Sequence, residues 1–187
     1  MKSKRKKFSY LFLVATFISL NSWAQPPQEI DFQPLSQEML NNPEPDDWLM
    51  WRGGYENWGY SPLEQIDREN VSELSLSWSW EFAPAAPGSN GMQVEPTVYD
   101  GIMYVRHSNE KYSAHDAATG DLIWEYSRPL ASEVAGYETR LTVHRGRGVF
   151  IYEDNLISHA TDGMLFALDP QTGRVKWEVA MQDFRSG

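Results

Sequence analysis

Cysteine is absent from this sequence of 187 residues. Without a thiol there is no disulfide framework and no lipid-bearing cysteine, so burial and hydrogen bonding must hold the fold together. Positive charge is scarce: 16 Lys and Arg stand against 26 Asp and Glu, a formal net charge of −10. Such a chain lacks the basic footprint that nucleic acid or an anionic membrane surface demands of a main partner. The apolar stretch from Phe8 to Leu20 has 13 residues, short of the roughly 20 that span a bilayer. No GxGxxG, phosphate loop or HExxH occurs. His107, His115, His144 and His159 show neither i, i+4 nor HxH pairing, and catalytic zinc needs three protein ligands on one site. The doublets Asp46-Asp47 and Glu153-Asp154 read as turn and surface charges, because Ca²⁺ wants about six to eight converging oxygens.

The first residues form an address. Lys2, Lys4, Arg5, Lys6 and Lys7 precede the apolar stretch, and Ser22-Trp23-Ala24 places small residues at −3 and −1 of a cleavage site near Gln25. That is the pattern of a secretory signal peptide over residues 1–24, with a periplasmic protein and no stable membrane span as the expectation. Its removal shifts the formal net charge to −15. Residues 25–47, rich in Pro, Gln, Asn and acids, have too few periodic apolar residues to build a core and read as a linker or surface strap.

What the chain does have is aromatic residues, with eight Trp, nine Tyr and eight Phe, and a repeat. "AHDAATGDLIW" (114–124) returns 53 residues later as "ALDPQTGRVKW" (167–177), with Ala, Asp, Thr, Gly and Trp at identical spacing. Around the first copy, "PTVY", "IMYVRH", "KYSAH" and "DLIWEY" alternate with turns. Around the second, "GVFIY", "NLISHA", "MLFALD" and "RVKWEV" do the same. Each copy is expected to be a four-stranded antiparallel meander, near 96–127 and 147–180. Asp116 or Asp169 caps the turn, Gly120 or Gly173 takes a positive φ, and Thr119 or Thr172 bonds back across it. Trp124 and Trp177 then wedge between neighbouring meanders. Upstream, "IDRENVSEL" reads as a helical turn with Asp67 as its cap. "LSLSWSWEF" (74–82) reads as a further strand with Leu74, Leu76, Trp78, Trp80 and Phe82 on one face.

A meander with two faces to cover and a period near 50 residues points to an all-β, partial β-propeller, with each repeat one blade. Propellers close with typically about four to eight blades. Residues 48–187 are therefore expected to hold an incomplete propeller of about two blades plus a closing strand.

These residues resemble a known family. "WRGGYENWGYSPLEQIDRENVSELSLSWSWEF", "EPTVYDGIMYV", "YSAHDAATGDLIWEY" and "HRGRGVFIYEDNLISHATDGMLFALDPQTGRVKWEV" are similar to the N-terminal part of the PQQ-dependent (quinoprotein) alcohol dehydrogenases. The resemblance implies an exported oxidoreductase with an eight-bladed propeller. It implies pyrroloquinoline quinone on the central axis beside Ca²⁺ or a lanthanide, a small alcohol as substrate and a cytochrome c or quinone as electron acceptor. It assigns cofactor binding to Gln93, seven residues before "DG" where the family usually has Glu, and to Arg145 of "HRG". A buried Arg suits a tricarboxylate cofactor, which a chain at −15 would otherwise repel. Glu95 lies two residues beyond Gln93, and the adjacent cysteines that many members place before that Arg are missing. The catalytic Asp and the metal ligands of the family fall beyond residue 187, so no catalytic or metal residue is carried over and these residues alone are expected to be inactive. The alternative is a non-catalytic propeller scaffold or sensor domain for protein binding, to which the dehydrogenase-like "RGGYENWGYSPLEQI" is unnecessary.

Overall fold

A computed structural model describes residues 30–81, 94–129 and 148–183. Each repeat copy folds into one antiparallel sheet whose strands are joined in sequence order. The first sheet comprises β1 (Thr97–Tyr99), β2 (Ile102–Arg106), β3 (Lys111–Asp116) and β4 (Leu122–Ser127). The second comprises β5 (Phe150–Tyr152), β6 (Asn155–His159), β7 (Met164–Leu168) and β8 (Val175–Ala180). This is the partial propeller that the repeat implied. Asp100 at φ 50 and Gly101 at φ 73 supply the two positive φ values of a tight hairpin whose twist matches its strands. Register slips at the same point of both copies, Ala114/His115 and Ala167/Leu168, and each Ala stands opposite the repeat's Trp, Trp124 or Trp177.

The shared string shapes both turns as expected and docks Trp124, whereas Trp177 stays exposed and donates its indole N–H to Asn155 Oδ1 of its own sheet at 3.1 Å. Asp116 Oδ1 accepts from the amides of Ala118 and Thr119 at 2.9 Å, and Asp169 Oδ1 accepts from those of Gln171 and Thr172 at 2.9 Å. Thr119 Oγ1 and Thr172 Oγ1 take the amides of Asp121 at 3.2 Å and Arg174 at 3.4 Å. The turn so fixed is a socket. Trp124 of the first sheet donates its indole N–H to Pro170 O at 2.8 Å, and its ring lies so close to Gly173 that an added Cβ would sit 2.5 Å from Cε3.

The socket of the first sheet is filled from upstream. Trp78 donates to Ala117 O at 3.1 Å, and a Cβ on Gly120 would meet its ring at 2.6 Å. The strand expected over 74–82 does not form here. A 3₁₀ turn, Val71–Glu73, leads into residues 74–81, which pair with no strand among the described residues. A strand needs a neighbour for its N–H and C=O groups, and this segment meets the sheet through side chains. Leu74 and Leu76 are exposed, while Trp78 docks and Trp80 meets His115 edge-on at 4.8 Å. Phe82 lies outside the described residues. The 3₁₀ turn has Asn70 at its N-cap with no side-chain bond, and Asp67 shapes the turn just before it instead, its Oδ1 accepting from the amides of Glu69 and Asn70 at 2.9 Å.

Between the sheets, Tyr112 packs edge-on against Phe166 at 5.4 Å, and Arg128 lies over the same ring at 5.1 Å. At the start of the first strand of each sheet, Thr97 Oγ1 donates to Val149 O, just before β5, at 2.8 Å. The described part of the expected strap contributes more than cover. Its isolated apolar residues Ile30, Leu35 and Leu40 enter the core, although no periodicity marks them. Leu35 exchanges two backbone bonds of 2.9 Å with Glu153, and Trp48 pairs with Val98 at the open edge of β1. Ser36 Oγ caps the short helix α1 (Gln37–Asn41) between them.

Gly173→Ala is expected to lose about 2–4 kcal/mol in a urea melt, because strain at φ 67 adds to the clash with Trp124. Gly101→Ala, with a positive φ but nothing within 4 Å of its Cβ, is expected to lose only about 1–2 kcal/mol. Equal losses would mean that the docked ring adds nothing to the socket.

Candidate cofactor-facing end of the blades

The antiparallel register brings several segments to one end of both sheets. There β1 and β5 begin, β2 and β6 finish, and β3 and β7 set out again. Gln93 and Arg145 lie outside the described residues. The first described residues after them, Val94 and Gly148, lead into β1 and β5 at this same end. Glu95 is occupied, accepting the indole N–H of Trp48 and the amide of Arg52 at 2.7 Å, so its carboxylate pins the segment that follows the strap. Gly148 passes so near that a Cβ would lie 2.9 Å from Glu95 O. Beside it, Met50, Trp51, Thr97 and Phe150 line a void of about 30 Å³, room for about one water.

On the face toward the second sheet stands a buried charged cluster with no mark in the motifs. Arg106, the last residue of β2, directs Nη2 at both carboxylate oxygens of Glu110, at 3.1 and 3.2 Å. Both residues are 4% exposed. Tyr112 Oη donates to Glu110 Oε2 at 2.8 Å, and Thr161 of the second sheet's β6–β7 turn donates its hydroxyl and amide to Oε1 at 2.6 and 3.2 Å. Arg106 Nη1 is buried with no partner. Further out, Arg128 clamps the sheets together by bonding Asp162 at 2.8 Å and Glu178 at 2.9 Å.

The opposite face carries a hydrogen-bonded file: His107 Nε2 to Ser113 Oγ at 2.5 Å, Ser113 Oγ to His115 Nε2 at 2.8 Å, and His115 Nδ1 to Gly120 O at 3.3 Å. A carbonyl only accepts, so His115 carries its proton on Nδ1. Its Nε2 then accepts from the Ser113 hydroxyl, which accepts in turn from His107. Burial, reinforced by the nearby His115, lowers the His107 pKa to about 4. Burial also lowers His115 and His159 below the ordinary imidazole value. The file ends on the socket glycine that receives Trp78.

In sequence, His107 and His115 look scattered, and His144 lies outside the described residues. Folding places His107 and His115 on one face because β2 and β3 form a hairpin. The period of two in β3 puts Ser113 with His115, a signal that strand pairing could have extended to His107. For Arg106 and Glu110 the signal is weaker: an Arg closing an apolar strand and an acid in the next turn. Among the described residues no group of three His, Asp or Glu is placed to hold a metal ion, and no helix is long and apolar enough to cross a membrane. Asp47 accepts the amide of Asp100 at 3.0 Å and Asp154 pairs with Lys176, as turn and surface charges do.

Residues 48–184 match the model of the glucose/ethanol/alcohol dehydrogenase β-propeller domain of PQQ enzymes. The dehydrogenase subunit of the quinone alcohol dehydrogenase of Gluconobacter oxydans is 36% identical over 140 residues, which cover 74% of this chain and 18% of that protein. The solved structure of quinohemoprotein alcohol dehydrogenase ADHIIG from Pseudomonas putida superposes with a TM-score of 0.70 at 30% identity, over 81% of this chain and 22% of that one. A europium-containing methanol dehydrogenase superposes with a TM-score of 0.65 at 28% identity, over 78% and 25%. The chain thus spans about a fifth of the length of such relatives.

The depressed histidines make stability depend on pH with a definite sign. The unfolded chain takes up protons below about pH 6.5, whereas folded His107 resists them down to about pH 4. Stability is expected to fall through that window as pH drops. Comparing urea midpoints from pH 7 to 4, the difference between wild type and His107→Gln should shrink toward acid. A constant difference would refute the assignment.

Proposed function

The chain belongs to the β-propeller family of PQQ-dependent alcohol dehydrogenases, and from that premise we propose that it forms the N-terminal blades of an exported enzyme that oxidises a small alcohol. The observation that carries this reading is the match to that family over residues 48–184, on a fold whose two blades carry its docking string. Export rests on the basic and apolar pattern of residues 1–24, with the periplasm as the destination. The electron acceptor in this reading is a cytochrome c or a quinone.

PQQ, when bound, supplies a quinone that takes up hydride from the alcohol. The chain's own residues bind and orient it. Arg145 is assigned a charge-assisted, forked contact to a carboxylate, which a strongly acidic chain needs in order to hold a tricarboxylate. Gln93 is assigned a hydrogen bond through its neutral amide. Glu95 does not substitute for it, because Trp48 and Arg52 already hold its carboxylate. The described residues fit an anionic group: a buried guanidinium nitrogen of Arg106 lacks a partner at the end where the segments carrying Gln93 and Arg145 join the blades. Ca²⁺ or a lanthanide belongs to the same reading, held by ligands beyond residue 187.

The test is to express the full reading frame that encodes this chain and titrate it with PQQ plus Ca²⁺ or a lanthanide, following absorbance and dye-linked alcohol oxidation. Stoichiometric uptake with turnover is expected, with uptake weakened about 10- to 100-fold in Arg145→Ala, the worth of a charged hydrogen bond. The 187 residues alone are expected to show no turnover. A complete propeller that ignores PQQ would favour a scaffold or sensor.

A further inference from the structure

Arg106 is built like half of a binding site. Its Nη2 is spent on Glu110, and Glu110 has nothing further to offer, since its two oxygens already take Arg106, Tyr112 and both donors of Thr161. Nη1 remains, with two N–H donors, buried and unmatched. A charged donor left unpaired away from water is costly and rare, so a native chain keeps one where something else completes it.

The position and rigidity of the group indicate what that is. Extending the β1–β2 register beyond Thr97↔Tyr104 sets Arg106 level with Glu95, just inside the blade from Val94. The guanidinium stands 5.8 Å from the centre of the Tyr112 ring, and Glu110 is anchored to the second sheet through Thr161. The donor is therefore held before any ligand arrives. A planar guanidinium with a free edge matches a carboxylate better than any neutral acceptor.

We propose that Arg106 is a further cofactor-contact residue, donating from Nη1 to a carboxylate of PQQ. This rests on the dehydrogenase reading above. Glu110 and Thr161 are then positioning residues, which hold the guanidinium through Nη2 and leave Nη1 unmatched.

The full encoded chain, prepared without cofactor, is titrated with PQQ and separately with PQQ trimethyl ester, following quenching of tryptophan fluorescence. Arg106→Gln is expected to weaken PQQ binding about 10- to 100-fold, the range of a charged hydrogen bond, and Arg106→Lys to recover part of the loss. The ester has no carboxylate charge to recognise, so wild type and both variants should bind it within about twofold of one another. Should Arg106→Gln leave Glu110 unpaired and the protein unfolded, Arg106→Gln combined with Glu110→Gln removes both charges and serves in its place. Equal binding of PQQ by wild type and variant, or equal losses with acid and ester, would make Arg106 a structural clamp completed by water and overturn the inference alone. Wild type that takes up no PQQ would overturn the dehydrogenase reading, and this inference with it.

Discussion

A tryptophan seated on a glycine turn of the next unit is the contact on which the rest of the architecture depends. It occurs twice among the described residues, Trp78 on Gly120 and Trp124 on Gly173, each time with the indole N–H on the carbonyl of the residue after the capping Asp. The ring can approach because there is no Cβ in its way, and the backbone can turn because glycine tolerates φ near 70. Burial of such a ring, on the order of 150–250 Å², together with one hydrogen bond, contributes up to several kcal/mol. Asp116 and Asp169 give their side chains entirely to shaping the socket.

The joint orients whole sheets, and polar contacts then set their spacing. Glu110 takes donors from both sheets, Arg128 bridges to Asp162 and Glu178, and Thr97 reaches Val149. Buried ion pairs contribute little net stability compared with apolar packing. Their geometry is directional, however, and it fixes how two otherwise slippery aromatic faces meet. The arrangement at Arg106 and Glu110 therefore registers the blades and leaves one buried guanidinium nitrogen, Nη1, without a partner.

The strand pattern was legible because turn chemistry in this chain is local. Asp-Gly at 100–101 and the two Asp-x-x-Thr-Gly turns announce themselves by spacing, and the alternation between them gives the strands to within a few residues. The segment 74–82 misled for the opposite reason. Its alternation is that of a strand, but pairing depends on a neighbour, and among the described residues the segment meets the sheet only through Trp78 and Trp80. Leu35 and Leu40 were equally invisible, because a strap that crosses a core buries single residues wherever it happens to touch it. The candidate site was read through family likeness at Gln93 and Arg145, while Arg106, Glu110 and Thr161 carry no motif that would single them out.

By itself the sequence determined the class of fold, the repeat and the mechanics of its turns, because these follow from the φ preference of glycine, the capping reach of Asp and the period of two in a strand. Tertiary structure alone decided which tryptophan fills which socket, which face of β3 meets Phe166 of the second sheet and which meets Trp80, and that Arg106 is left with an unmatched donor. Those outcomes depend on residues that stand about 50 positions apart, such as Glu110 and Thr161 or Trp124 and Pro170. Distance in sequence carries no information about such meetings until the sheets are docked.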